Sequence, residues 1–189
     1  MKLSSKTTVA VSIAALILAG GATVAANASI PNKAPAVAAS TAPVTPSGAN
    51  IVAQNRIGTM ASANAVRVAM ETCQGQNLPF VTVALVDRFG TVQALLRGDN
   101  AAEHTIEAAK EKAYTAAAFG APTSELATRV TGNGPGLADL PGTLFLPGGV
   151  PLKVKGVSVA GIGVGGAPDG MLDEKCAAAG AATLTSAAK

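Results

Sequence analysis

Apolar positions along this chain switch between two periods. From about Ile51 to Gln74, Met60, Ala63, Val66, Met70 and Cys73 recur at spacings of three and four. That is the stripe of an amphipathic helix with one buried face, and Gly75 supplies a C-terminal stop. Phe80 to Asp87 (FVTVALVD) is a β-branched run, which predicts a well-buried strand. Arg88-Phe89-Gly90 turns it, with Gly90 free to take positive φ, and Thr91 to Arg97 is the returning strand. Gly98-Asp99-Asn100 breaks that strand. A second helix is predicted from His104 to Phe119, with Thr105 as its N-cap and Gly120 and Pro122 ending it. Thr123-Ser124-Glu125-Leu126 opens a short further helix.

Residues 131 to 143 (TGNGPGLADLPGT) form a glycine- and proline-rich loop, long enough to suggest a functional or mobile segment. Three more strands are expected: Thr143 to Leu146, Val150 to Val154 and Gly156 to Val164. Pro147-Gly148-Gly149 and Lys155-Gly156 supply the turns between them. Met171 to about Ala187 closes the chain as a helix, with Asp169 or Asp173 near its start favouring the helix dipole. The order is helix, two strands, helix, three strands, helix. Short turns between strands imply an antiparallel sheet, so the expected class is α/β of the α+β kind, five strands flanked by helices. The first and last long helices can pack side by side, which would bring Cys73 and Cys176 together.

The N-terminus alters the domain picture. Lys2 and Lys6 precede an apolar run from Val9 to Ala19, and Ala26-Asn27-Ala28 matches an A-x-A cleavage site. Residues 1–28 therefore read as a secretory signal peptide, directing the chain to a periplasm or the outside. The apolar run is short against the roughly 20 residues of a membrane span. Residues 29–49, rich in Pro, Ala, Ser and Thr, read as a linker, and 50–189 as a single domain. In an oxidising compartment two cysteines are a candidate disulfide, closing a loop of about 100 residues. The alternative is two separate buried thiols.

Composition narrows the function classes. Hydrophobic residues make up 49% of the 189, enough for a core, but aromatics are 3%, with no Trp. That poverty argues against stacking on single-stranded nucleic acid. The formal charge is +3, but removing Lys2 and Lys6 from the 14 basic residues leaves 12 against 11 acidic. No basic stripe for DNA or anionic lipid is expected.

His104 is the only histidine. At a helix start the dipole disfavours imidazolium and so favours a neutral, ligating ring, while Glu103 and Glu107 favour the charged form. A lone surface histidine is more often solvated than ligating. Glu103, His104, Glu107 and Glu111 share one helix face that could offer oxygen and nitrogen to a divalent metal or iron; the bland reading is a solvated acidic face partly paired with Lys110 and Lys112. GIGVGG (161–166) matches the spacing G-x-G-x-x-G, but it lies in a late strand with no acid at the right distance. Its expected role is close packing of a helix or another subunit on the strand. No serine sits in a G-x-S-x-G elbow, so no hydrolase set is found.

Four blocks together are distinctive: VALVDRFGTVQALLRGDNA, EAAKEKAYTAAAFGAPTSEL, LPGTLFLPGGVPLKVKGVSVAGIGVGGAP and LDEKCAAAG. In these the chain resembles the GlcG/HbpS family of haem-binding proteins, some described as haem-degrading, over almost all of residues 51 to 187. With its leader and the pair His104-Thr105 it is similar to the periplasmic branch. The resemblance implies a profilin-like fold with a five-stranded antiparallel sheet, homo-oligomers, and binding of haem or iron, and it leaves enzymatic activity open. Some relatives partner a sensor kinase. Some haem-binding relatives use a histidine in or near the first helix; residues 50 to 75 contain none here. With no histidine there, His104 with Thr105 is left as the haem site; Arg97 is expected to meet a propionate, and Tyr114 ranks below His104 as a ligand because its place in the helix could equally be core. A second reading is a non-catalytic binding module or sensor partner for a small organic acid or free iron.

Overall fold

Two antiparallel hairpins make the sheet, seen in a computed structural model that describes residues 45–130 and 136–185. The first pairs β1 (Thr82–Asp87) with β2 (Val92–Arg97), and the second pairs β3 (Gly149–Val154) with β4 (Val157–Gly165). β1 and β4 join antiparallel at the centre, giving the order β2-β1-β4-β3. The helices are α1 (Thr59–Gly75), α2 (His104–Phe119), the short α3 (Thr123–Ala127) and α4 (Gly170–Thr185). Gly48–Lys189 is one compact unit. The expected signal peptide (1–28) and most of the expected linker (29–49) lie outside the described residues. Among the described residues no helix is long and apolar enough to cross a membrane.

The sheet separates two helix layers. Val83 and Leu85 of β1 and Ile162 and Val164 of β4 point to the face covered by α1 and α4, where Ala65, Val66, Ala69, Met70, Cys176 and Ala177 complete an aliphatic core. Cys73 and Cys176 are joined there as a disulfide, Cα atoms 5.5 Å apart, linking α1 to α4. α2 covers the other face of the sheet. It approaches β4 closely because Gly161 and Gly163 present no side chain. A Cβ on either would overlap the Ala113 or Ala109 carbonyl oxygen. The GIGVGG run is thus the seat of α2, the structural role expected of it. Thr82 of β1 and Thr105 of α2 share a buried hydrogen bond of 2.7 Å across this interface.

Several expectations are corrected. The sheet has four strands, not five. Residues 143–146 form no ladder, because the Leu144 N–H donates to the Thr115 hydroxyl on α2 (2.8 Å) and Pro147 has no N–H. Phe145 instead packs edge-on to Phe119, centroids 5.3 Å apart. The first helix starts at Thr59 rather than Ile51. Its buried stripe is Ser62, Ala65, Val66, Ala69, Met70 and Cys73, whereas Met60 is 81% exposed and Ala63 is exposed. The three-and-four spacing holds, but Met60 and Ala63 fall on a neighbouring face. Asn77 (φ 60), not Gly75, takes the left-handed position after that helix, with Asn77 N–H donating to Gln74 O and Leu78 N–H to Cys73 O. Thr105 is not an N-cap: Glu103 holds that position without a side-chain cap, and the Thr105 hydroxyl lies inside the first turn.

Candidate functional site

The outer face of α2 and the β1–β2 turn enclose a cleft. Asp87, buried at the end of β1, builds the turn: its Oδ1 accepts hydrogen bonds from the Phe89 and Thr91 N–H groups, both 2.9 Å. Gly90 (φ 86) completes it and lies against the Tyr114 ring, where a Cβ would come within 3.4 Å of Cδ2. Phe89 is thereby held out into solvent, 59% exposed. Opposite it, Glu107, Lys110, Glu111 and Tyr114 line the cleft with Gly142, around a volume of about 350 Å³. That is within the size of small-molecule sites, roughly 300–1,000 Å³. Lys110 Nζ binds both Glu107 oxygens, at 2.8 and 3.0 Å.

The expected site residues divide among four places. Tyr114 and Glu107 are in the cleft. His104 is exposed as the first residue of α2. At 3.6 residues per turn, His104 lies within about 80° of Tyr114 around the helix axis, on one stripe with Glu107 and Glu111. Thr105 faces the sheet, 2% exposed and hydrogen-bonded to Thr82 and to the Ala102 carbonyl. Arg97 donates Nε and Nη2 to the Ala101 carbonyl, which closes the loop before α2, and its Nη1 is 4.0 Å from Glu103. Among the described residues no three His, Cys, Asp or Glu side chains gather as a metal site, so Glu103, His104 and Glu107 do not form one. Residues 136–142 of the glycine-rich loop give Gly142 to the cleft, while 131–135 lie outside the described residues.

Sequence reasoning missed Phe89 and Lys110 as cleft residues. The signal was available in the sequence, since Asp87 and Gly90 frame a turn whose apex must project. A buried ion pair was also missed: Lys112 Nζ to Asp173 Oδ2, 2.8 Å, with both side chains almost fully buried. Burial pushes the Asp173 carboxyl above its ordinary value, with Lys112 pulling it back.

Haem iron takes His, Cys, Met or Tyr. Both cysteines are consumed in the disulfide. Tyr114, a phenol-bearing side chain, lines the cleft beside the exposed Phe89 ring. This donor set fits haem better than a bare metal ion.

Comparison with known proteins gives the same direction. The profile of the "Haem degrading protein HbpS-like" family matches residues 57–182. A crystal structure of HbpS is 47% identical, covering 75% of this chain and 99% of that one, with a TM-score of 0.70. A double glutamate-to-aspartate mutant of Streptomyces reticuli HbpS is 46% identical, covering 77% and 99%, with a TM-score of 0.70. The haem complex of PduOC is 28% identical, covering 68% and 95%, with a TM-score of 0.61. No curated protein sequence matches the chain. With a family match that runs from before α1 through both hairpins into α4, the chain belongs to the HbpS-like haem-degrading protein family.

Proposed function

We propose that this protein is an exported haem-binding protein that holds haem in the cleft between Phe89 and α2, within a homo-oligomer. The observation that carries this reading is the cleft lining. Phe89 and Tyr114 offer aromatic surface and Tyr114 a phenol group, while Lys110 would have to leave Glu107 to meet a propionate. When bound, haem would supply an iron centre open to redox or oxygen chemistry. The chain's own contribution is to bind and orient it. Tyr114 is the proposed iron donor, with His104 a further donor on the same helix stripe. Arg97 is a weaker candidate for a propionate, since two of its donor groups already hold Ala101. The haem complex of PduOC supports a haem ligand on this fold. Export rests on the leader sequence, and a sensor-kinase partner on the family resemblance.

The test is a hemin titration followed in the Soret region, on the wild type and on Tyr114→Phe and His104→Ala. The expected result is a Soret shift in the wild type that Tyr114→Phe weakens at least tenfold. An unchanged shift in His104→Ala removes His104 from the site. An unchanged shift in both variants overturns the ligand assignment.

A further inference from the structure

The end of the sheet that carries both hairpin turns differs from the rest of the surface. Asp87 pairs with Ala160 in the central ladder, so the turn after β1 and the turn between β3 and β4 stand side by side. The Arg88 N–H donates to the Val159 carbonyl (3.1 Å) and fixes that adjacency. Each turn projects apolar side chains: Phe89 is 59% exposed on the first, Val154 50% and Val157 62% on the second. A groove of about 360 Å³ lies between residues 52–55, which precede α1, and Arg88, Phe89, Val157 and Val159 at this end of the sheet. Exposed apolar side chains grouped in this way mark an interaction surface.

The same turns are basic. Arg88, Lys153 and Lys155 are all exposed. Among the described residues, which include all 11 acids of the chain, none of the three takes part in an ion pair; those pairs belong to Arg67, Arg97, Lys110, Lys112 and Arg129. Asp87, at the base of the first turn, is 4% exposed and accepts N–H groups of its own turn. Glu107 and Glu111 stand on the other flank of Phe89, in the cleft. The mature chain's near-balance of charge therefore hides a segregation that the sequence count does not show.

We propose that this end docks on an anionic lipid surface, with Phe89, Val154 and Val157 entering the headgroup boundary and Arg88, Lys153 and Lys155 facing the phosphates. Apolar tips flanked by cations suit a planar, negatively charged interface. A small anionic ligand would use the groove and leave Val154 unexplained. Docking is peripheral, in keeping with the lack of a long apolar helix among the described residues. Phe89 also lines the proposed haem cleft, so docking is measured on the haem-free protein.

The experiment is co-sedimentation of the full chain with phosphatidylglycerol vesicles and with phosphatidylcholine vesicles, at low and high salt. Two variants are compared with the wild type: Arg88→Gln/Lys153→Gln/Lys155→Gln together, and Phe89→Ser. All four positions are exposed, and far-ultraviolet circular dichroism checks that the fold is kept. The expected result is binding to phosphatidylglycerol only, weakened by salt. Each cation near an anionic surface contributes about fivefold, so the triple variant should bind roughly a hundredfold less. Phe89→Ser should also bind less. Equal binding by wild type and variants would trace attachment to another segment, such as Val9 to Ala19, and overturn the proposal. So would absence of phosphatidylglycerol binding, or concentration-dependent self-association that the variants abolish, which would make a second copy the occupant.

Discussion

Lys112→Met tests how the two helix layers are tied together. Lys112 projects from α2 and Asp173 from α4, on opposite faces of the sheet, and their side chains meet at 2.8 Å with 6% and 2% exposure. Asp173 Oδ1 also accepts the Ala167 N–H at 3.0 Å. Replacing Lys112 by Met keeps much of the stem volume but leaves a buried carboxylate without its cation. Breaking one side of a buried pair costs about 3–5 kcal/mol. Asp173→Asn keeps an oxygen for Ala167 while removing the charge. In the double variant neither charge is stranded, so the two costs should fall short of their sum by about 2 kcal/mol. The assay is urea unfolding followed by circular dichroism. A Lys112→Met cost below about 1 kcal/mol, the range of exposed pairs, or additive single costs, would refute the reasoning. The pH dependence has a definite sign. Burial raises the folded-state pKa of Asp173 above 3.8. The folded protein therefore takes up a proton more readily than the unfolded chain in that window. This site's contribution to stability rises as pH falls through the native pKa and levels off below 3.8. The stability difference between wild type and Asp173→Asn should change in that interval and be flat below it.

Two further outcomes follow from the packing. Gly163→Ala puts a methyl into the Ala109 carbonyl oxygen and 2.5 Å from the Ala113 nitrogen, both backbone atoms. Overpacking of this kind costs about 1–3 kcal/mol or more, read as a lower thermal midpoint. Weaker hemin binding should accompany it if α2 is displaced. Replacing Cys73 and Cys176 by Ala together removes a cross-link between residues 103 apart. A loss of about 2–5 kcal/mol is expected, and thiol reagents should find no free cysteine in the untreated wild type.

The sequence carried the elements whose signals are local. The β-branched run, the turn residues around Asp87 and Gly90, and the span His104–Phe119 agree with the structure. Gly120 ends that helix in the left-handed conformation (φ 68), as expected. Failures came where tertiary contacts decide. Thr143 to Leu146 reads as a strand by composition, but the Thr115 hydroxyl takes one of its backbone donors and the phenylalanine pair takes its side chain. Met60 and Ala63 fit the helical period as well as Ala65 and Ala69 do. Periodicity fixes spacing, and only the packing partners select the face. For the site, His104 drew notice because it is unique, whereas Tyr114 reads as an ordinary helix residue until Gly90 is seen against its ring. The charge segregation at the hairpin end depends on which strands are neighbours, and no count of residues reveals it.

Haem binding is the central claim, and the ultraviolet-visible spectrum of the purified protein, alone and with added hemin, tests it most directly. A Soret band displaced from that of free hemin, saturating at a fixed ratio of haem to chain, is expected. A spectrum that is the sum of free hemin and protein at every ratio would contradict it.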